Sequence, residues 1–140
     1  GQRIRRFEES AAEKASIGAQ PSPATILEVD AEYRRRADRG ELKRITPRRF
    51  NPEGKAWLPI MHTEKEGWHF TVLFSNTARA HELGKTFDWV VVYFERDGYE
   101  DQRTVVTERH GPLKGRRVIR GQEGECREYY FGEEERDENQ

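Results

Sequence analysis

One cysteine, Cys126, is all that this chain of 140 residues carries, so no disulfide can form within it. Small secreted frameworks rely on paired cysteines, and their lack points to a reducing compartment. A single thiolate cannot build a cysteine cage for zinc either. No run approaches the ~20 apolar residues that span a bilayer as a helix. Gln2-Arg3-Ile4-Arg5-Arg6 is followed by acids rather than an apolar stretch, which does not read as a signal peptide. The expectation is a cytoplasmic protein with no membrane partner. A phosphate-cradling glycine loop is missing as well. Gly111-Pro112-Leu113-Lys114-Gly115-Arg116-Arg117 has two glycines and three bases but lacks Walker spacing and its Ser/Thr.

Apolar residues are scarce at 34%, against 36% charged, yet aromatic residues reach 11%. A few large rings can build a core from such a supply. The length fits one domain. Composition and punctuation divide the chain into a flexible segment and linker over residues 1–23, one α+β domain over 24–130, and a disordered acidic tail over 131–140. Residues 2–15 read as a helix remnant anchored by Ile4 and Phe7.

Within the domain, Ile26, Val29, Tyr33 and Ala37 recur at helical spacing, Thr25 can cap them, and Gly40 ends the pattern. Residues 42–54 are basic and broken by Pro47 and Pro52, and read as an extended arm. Strands are expected over 57–63 and 68–74, joined by Glu64-Lys65-Glu66-Gly67. In the second, Trp68, Phe70, Val72 and Phe74 alternate with smaller or polar residues and should face the core. Ser75-Asn76 can cap a short helix that Gly84 closes. A central strand over 88–94, a turn at Asp97-Gly98, further strands over 102–109 and 116–120, and a helix over 122–130 complete the order. Hairpin-length connections imply a mostly antiparallel twisted sheet of about five strands, with two or three helices packed on it.

Net charge is -1, but it is unevenly spread: residues 33–55 hold nine bases against three acids, and residues 123–140 hold eight acids against two bases. The basic arm comprises Arg34, Arg35, Arg36, Arg39, Lys43, Arg44, Arg48 and Arg49, beside the rings of Phe50 and Trp57. Arginines beside rings can hold nucleic acid by phosphate contact and base stacking. Read conservatively, the same residues form a solvated face and core rings. Lys114, Arg116 and Arg117 likewise read as a phosphate-contacting hairpin or as a solvated turn. Asn51, Asn76, Arg79 and His81 would line one polar pocket if the arm folds back on the short helix.

Catalytic signals are sparse. The four histidines, His62, His69, His81 and His110, have no HxxxH-like spacing, so no metal site or cofactor is expected. Asp88 and Glu95 could suggest a nuclease pair, but an odd separation puts them on opposite faces of an ideal strand. Cys126 has no evident base nearby and reads as a core thiol.

Several stretches resemble one known region. They are Leu27-Glu28-Val29-Asp30-Ala31-Glu32-Tyr33, Pro47-Arg48-Arg49-Phe50-Asn51-Pro52-Glu53-Gly54, Trp57-Leu58-Pro59-Ile60-Met61-His62-Thr63, Phe74-Ser75-Asn76-Thr77-Ala78-Arg79-Ala80-His81-Glu82-Leu83-Gly84 and Gly111-Pro112-Leu113-Lys114-Gly115-Arg116-Arg117-Val118. Together they are similar to the C-terminal domain of prokaryotic helix-hairpin-helix proteins, whose N-terminal part is similar to family X DNA polymerases. The resemblance covers about residues 24–130. It implies a DNA-binding or DNA-repair context, with an upstream helix-hairpin-helix domain as partner. It carries over no catalytic residue, and the polymerase carboxylates have no match. The leading expectation is a non-catalytic accessory module that touches DNA phosphate. Its rivals are a metal-dependent nuclease-like enzyme, and a protein-interaction module using a sheet edge or the acidic tail.

Overall fold

The computed structural model describes residues 20–138, with side chains described through residue 132. The helix remnant expected over residues 2–15 lies outside the described residues. The linker expected through residue 23 ends sooner. At residue 20 the chain is already tied down: Gln20 Nε2 donates to Tyr99 Oη at 2.8 Å, and Arg103 Nη2 donates to Gln20 Oε1 at 2.6 Å.

The first helix, α1, spans Pro23–Asp38. Its cap is Ser22 rather than Thr25, and the Ser22 Oγ accepts the Thr25 N–H at 3.2 Å. Proline at the first helical position explains the shift, since its fixed φ starts a helix and its missing N–H needs no partner there. Thr25 is buried, and its Oγ1 donates to Glu66 Oε2 at 3.1 Å. Ile26, Val29 and Tyr33 are buried and Ala37 packs against them, as their spacing requires.

Six strands form one antiparallel sheet in the order of the sequence. They are β1 (Arg44–Ile45), β2 (Leu58–Lys65), β3 (Trp68–Phe74), β4 (Val90–Arg96), β5 (Tyr99–Thr107) and β6 (Arg117–Ile119). A short helix, α2 (Ala78–Glu82), joins β3 to β4, and α3 (Glu123–Glu138) follows β6. The fold is α+β. The strand beyond the expected five is β1, formed within the arm, where the Ile60 N–H donates to the Lys43 carbonyl at 2.9 Å. Two residues are too few to show alternation, so β1 leaves no sequence signal. Asp88 precedes β4 instead of starting it.

Both tight hairpins use left-handed backbone at their two central residues: Glu66 and Gly67 at φ 54° and 81°, Asp97 and Gly98 at φ 51° and 83°. That is the primed turn whose twist matches two paired strands. It sets the register, in which Phe70, Val72 and Phe74 of β3 meet Phe94, Val92 and Val90 of β4. These side chains are buried together with Trp68, which packs edge-on against Phe94 with ring centroids 5.3 Å apart. Burying one such ring contributes about 2–3 kcal/mol.

The two long helices cover this same face. Tyr33 locks α1 to it: its hydroxyl donates to the Pro59 carbonyl at 2.7 Å and accepts the Phe74 N–H at 2.9 Å. Burial pushes the Tyr33 hydroxyl far above its usual range, so it stays a donor. On α3, Cys126 Sγ accepts the Ile119 N–H at 3.3 Å, and the Tyr130 hydroxyl donates to the Arg117 carbonyl at 2.7 Å. The helix does not end at Tyr130. It continues to Glu138, because Phe131 packs on the core and Gly132 is buried behind it. The helix thus runs into the stretch 131–140 expected as a tail.

The opposite face of the sheet carries graded rows. Ile60, Leu73, Val91 and Thr104 form one, His62, Thr71, Tyr93 and Gln102 the next, and Glu64, His69, Glu95 and Glu100 the last. Neither long helix packs there, and Tyr93 is 45% exposed. Among the described residues, no helix is long and apolar enough to cross a membrane.

Candidate functional site

The arm over residues 42–57 folds back toward α2 and the residues after it. Asn51 makes the bend. Its Nδ2 donates to the carbonyls of Pro47 and Lys55, both at 2.9 Å, and its Oδ1 accepts the Lys55 N–H at 3.1 Å. One side chain thus closes both ends of the loop. Asn76 joins this loop to the rest of the fold: its Nδ2 donates to the Arg49 carbonyl at 3.1 Å. The Asn76 Oδ1 must then accept, so His81 Nε2 donates to it across 2.6 Å. His81 in turn stacks on Phe50 with ring centroids 4.6 Å apart and a tilt of 38°.

Of the four residues expected in one polar pocket, Asn76 and His81 meet directly. Asn51 shapes the loop beside them. Arg79 is exposed on α2 and lines neither of the cavities described next. The cluster differs from the expectation in chemistry as well, because it is mainly aromatic.

Phe50 is half exposed, at 49%, and sits at φ 53°. Left-handed backbone at a bulky residue costs about 1–2 kcal/mol and persists only where the surroundings impose it. Here the Asn51 clamp and the Asn76 bond impose it. Phe87, in the turn after Gly84, is 70% exposed. It is nevertheless held in place, edge-on to Phe74 at 5.4 Å and to Trp57 at 5.9 Å. Phe74 rests on buried Tyr33 at 4.9 Å, so a chain of rings runs from the core to the surface.

Trp57 and Phe87 form the wall shared by two cavities. The smaller, about 270 Å³, is lined by Phe50, Trp57, His81, Gly84, Thr86 and Phe87. The larger, about 610 Å³, adds Phe74 and Pro59 and is bordered by Arg34, Arg44 and Lys55, with Asp38 on the same rim. The larger is in the size range of small-ligand sites, which starts at about 300 Å³, and the smaller falls just below it. Arg48 and Arg49 are exposed on the loop that carries Phe50.

Part of the expected basic arm is neutralised. Arg34 pairs with Asp30 at 3.0 Å, and Arg36 and Arg39 both reach Glu41. Lys55 pairs with Glu53 at 2.7 Å, but both are well exposed, so a ligand phosphate can displace that pair at little cost. Arg35 on α1 and Lys43, Arg44, Arg48 and Arg49 of the arm stay exposed, with no ion pair among the described residues.

The second expected contact region is separate. The turn bearing Lys114 and Arg116 leaves from the β6 edge, while the arm leaves from the β1 edge. Neither Lys114 nor Arg116 lines either cavity, although Glu108, Arg109 and His110 of the same turn share a pocket with Leu83 and Lys85. Lys114 is exposed, and Arg116 lies over the rings of Tyr130 and Phe131 at 4.8 and 5.3 Å. Arg117 is mostly withdrawn from solvent. Its side chain is 12% exposed and bridges Asp30, which is fully buried, and Asp88. It contacts Asp30 twice, at 3.0 and 3.2 Å, and Asp88 at 3.1 Å, and it also donates to Thr107 Oγ1 and the Val105 carbonyl. With its donors taken up in this way, the guanidinium expected to contact phosphate instead ties α1 to the sheet.

Asp88, Glu95 and His81 do not converge. Asp88 sits at the far end of β5, bound to Thr107, whereas Glu95 pairs with Glu100 beside the opposite hairpin. Among the described residues, no three His, Cys, Asp or Glu side chains are grouped to hold a metal ion.

Sequence reasoning missed Phe87 and Lys55 as groove residues. Phe87 stands in a turn between a capped helix and a strand, where an aromatic residue has no period to mark which way it points. No family model matches this chain, and no curated protein or solved structure matches it either.

Proposed function

We propose that this chain is an accessory nucleic-acid-binding domain of a DNA-handling protein, in line with its resemblance to the C-terminal domain of helix-hairpin-helix proteins. One observation carries the reading: Phe50, Trp57 and Phe87 are held at the surface in one groove, Arg44 and Lys55 border it, and Arg48 and Arg49 are exposed on the loop that carries Phe50. Rings beside exposed cationic side chains are the combination that holds a nucleic-acid strand, with phosphates on the cations and bases on the rings. Lys114 and Arg116 would supply a second phosphate contact outside the groove. Tethering to an upstream helix-hairpin-helix domain would make weak intrinsic affinity sufficient, since the second contact becomes intramolecular.

The test is a salt titration of DNA binding by fluorescence anisotropy. Each phosphate contact contributes ~0.7–0.9 to the slope of log K against log salt, so Arg48→Ala/Arg49→Ala should flatten it by about 1.4–1.8. Affinity that ignores both salt and this double substitution would sink the reading.

A second reading, a protein-interaction module, is favoured by the uncovered sheet face with its aliphatic, polar and acidic rows. It predicts that substitutions at Tyr93 and Leu73 abolish partner binding while leaving the groove's behaviour intact.

A further inference from the structure

We infer that the groove takes single-stranded rather than duplex nucleic acid, seating two successive bases on either side of the Trp57–Phe87 wall. This rests on the nucleic-acid reading above and specifies the form of its ligand. A duplex presents phosphates outward and keeps its base faces stacked, so it can use the cations but not the rings. The rings are the costly part of this surface. Phe87 leaves 70% of its area in water, and Phe50 keeps a left-handed backbone to stand beside His81. Both arrangements make sense for a ligand with free aromatic faces.

The two cavities share one aromatic wall, which matches a two-base step. One base would enter the 270 Å³ cavity between Phe50, His81 and Phe87. The next would lie on the other side of the wall, in the 610 Å³ cavity, with its phosphate toward Arg44 and Lys55. The smaller cavity offers few hydrogen-bonding groups, chiefly His81 and Thr86, and His81 is already engaged by Asn76. Base identity should therefore matter little. The anchoring of Phe87 on Phe74, and of the Phe50 loop by Asn51 and Asn76, means the rings are placed before the ligand arrives.

The experiment uses the whole chain with three probes: fluorescein-labelled (dT)8, a mixed-sequence 16-nucleotide strand, and the 16-base-pair duplex of that strand. Anisotropy gives affinity at one fixed salt concentration, and the difference in tryptophan emission between the unaltered chain and Trp57→Phe reports Trp57, since Trp68 is buried and Trp89 is half-buried. Both single strands should bind at least tenfold tighter than the duplex and quench emission. Phe87→Ala and Phe50→Ala should each weaken (dT)8 about tenfold and leave duplex affinity within twofold. Both rings are exposed, so these variants should fold, and circular dichroism checks it. Trp57→Phe keeps a stacking ring and should retain (dT)8 affinity while losing the quenching. Equal affinity for strand and duplex, with both lowered only by Arg48→Ala/Arg49→Ala, would overturn this inference and leave phosphate binding standing. Failure of all three probes to bind would overturn both.

Discussion

Arg117→Met removes five hydrogen bonds from the junction of α1, β5 and β6 and inserts an apolar chain of similar length. Breaking one side of a buried ion pair typically costs about 3–5 kcal/mol, because the partner charge stays buried. Asp30 is fully buried, but it keeps Arg34, which bonds it from the next turn at 3.0 Å. Asp88 is 30% exposed and keeps the Thr107 N–H and hydroxyl. Both remainders place the loss at the lower end, about 3 kcal/mol. A domain of this size is stable by only ~5–15 kcal/mol, so the loss is large. Urea unfolding followed by circular dichroism reads it directly. With a slope of about 1–3 kcal/mol per molar, the midpoint should fall by about 1–3 M. Arg117→Met/Asp30→Asn should cost less than the sum of its parts, since the two groups share one network. Binding of (dT)8 by the folded Arg117→Met protein should match that of the unaltered chain. A midpoint shift below ~0.3 M combined with lost binding would refute the structural role and return Arg117 to the ligand.

Other consequences can be checked with the same preparations. Tyr33→Phe leaves the buried Phe74 N–H and the Pro59 carbonyl without their partner, and should destabilise by about 2 kcal/mol in urea; an effect under ~0.5 would contradict the assigned bonds. Burial pushes the Cys126 thiol up, the Ile119 N–H at its sulfur pulls it back less, and Glu123 and Glu125 raise it further. It should thus stay protonated through neutral pH and react with a thiol reagent only as the domain opens; stoichiometric labelling of the native protein within seconds would contradict this. Phe87→Ala should change stability by less than ~1 kcal/mol, because the ring is already mostly in water, while weakening single-strand binding.

Much of the fold was readable where a short-range pattern decides it. Alternation at Trp68, Phe70, Val72 and Phe74, helical spacing at Ile26, Val29 and Tyr33, and Asp97-Gly98 at a turn all mark local choices that packing then reinforces. β1 was hidden because two paired residues carry no period. The helix cap shifted to Ser22 because Pro23 starts a helix better than it ends a linker. The site was half legible. Proximity in sequence placed Phe50 and Trp57 beside arginines, but Phe87 joins them only through the return of the chain. Arg117 was misread for the same reason. Its partners are 87 and 29 residues away, and a basic tripeptide-like context looks the same whether it is solvated or buried.

A ¹H–¹⁵N correlation spectrum of the chain titrated with unlabelled (dT)8 tests the central claim most directly, because it locates the ligand residue by residue. Shifts should gather over residues 44–57 and 81–87, including the Trp57 indole N–H, and spare Tyr93 and Leu73 on the open sheet face. Shifts confined to that face or to the Lys114–Arg116 turn, or a spectrum unchanged at saturating strand, would contradict the account.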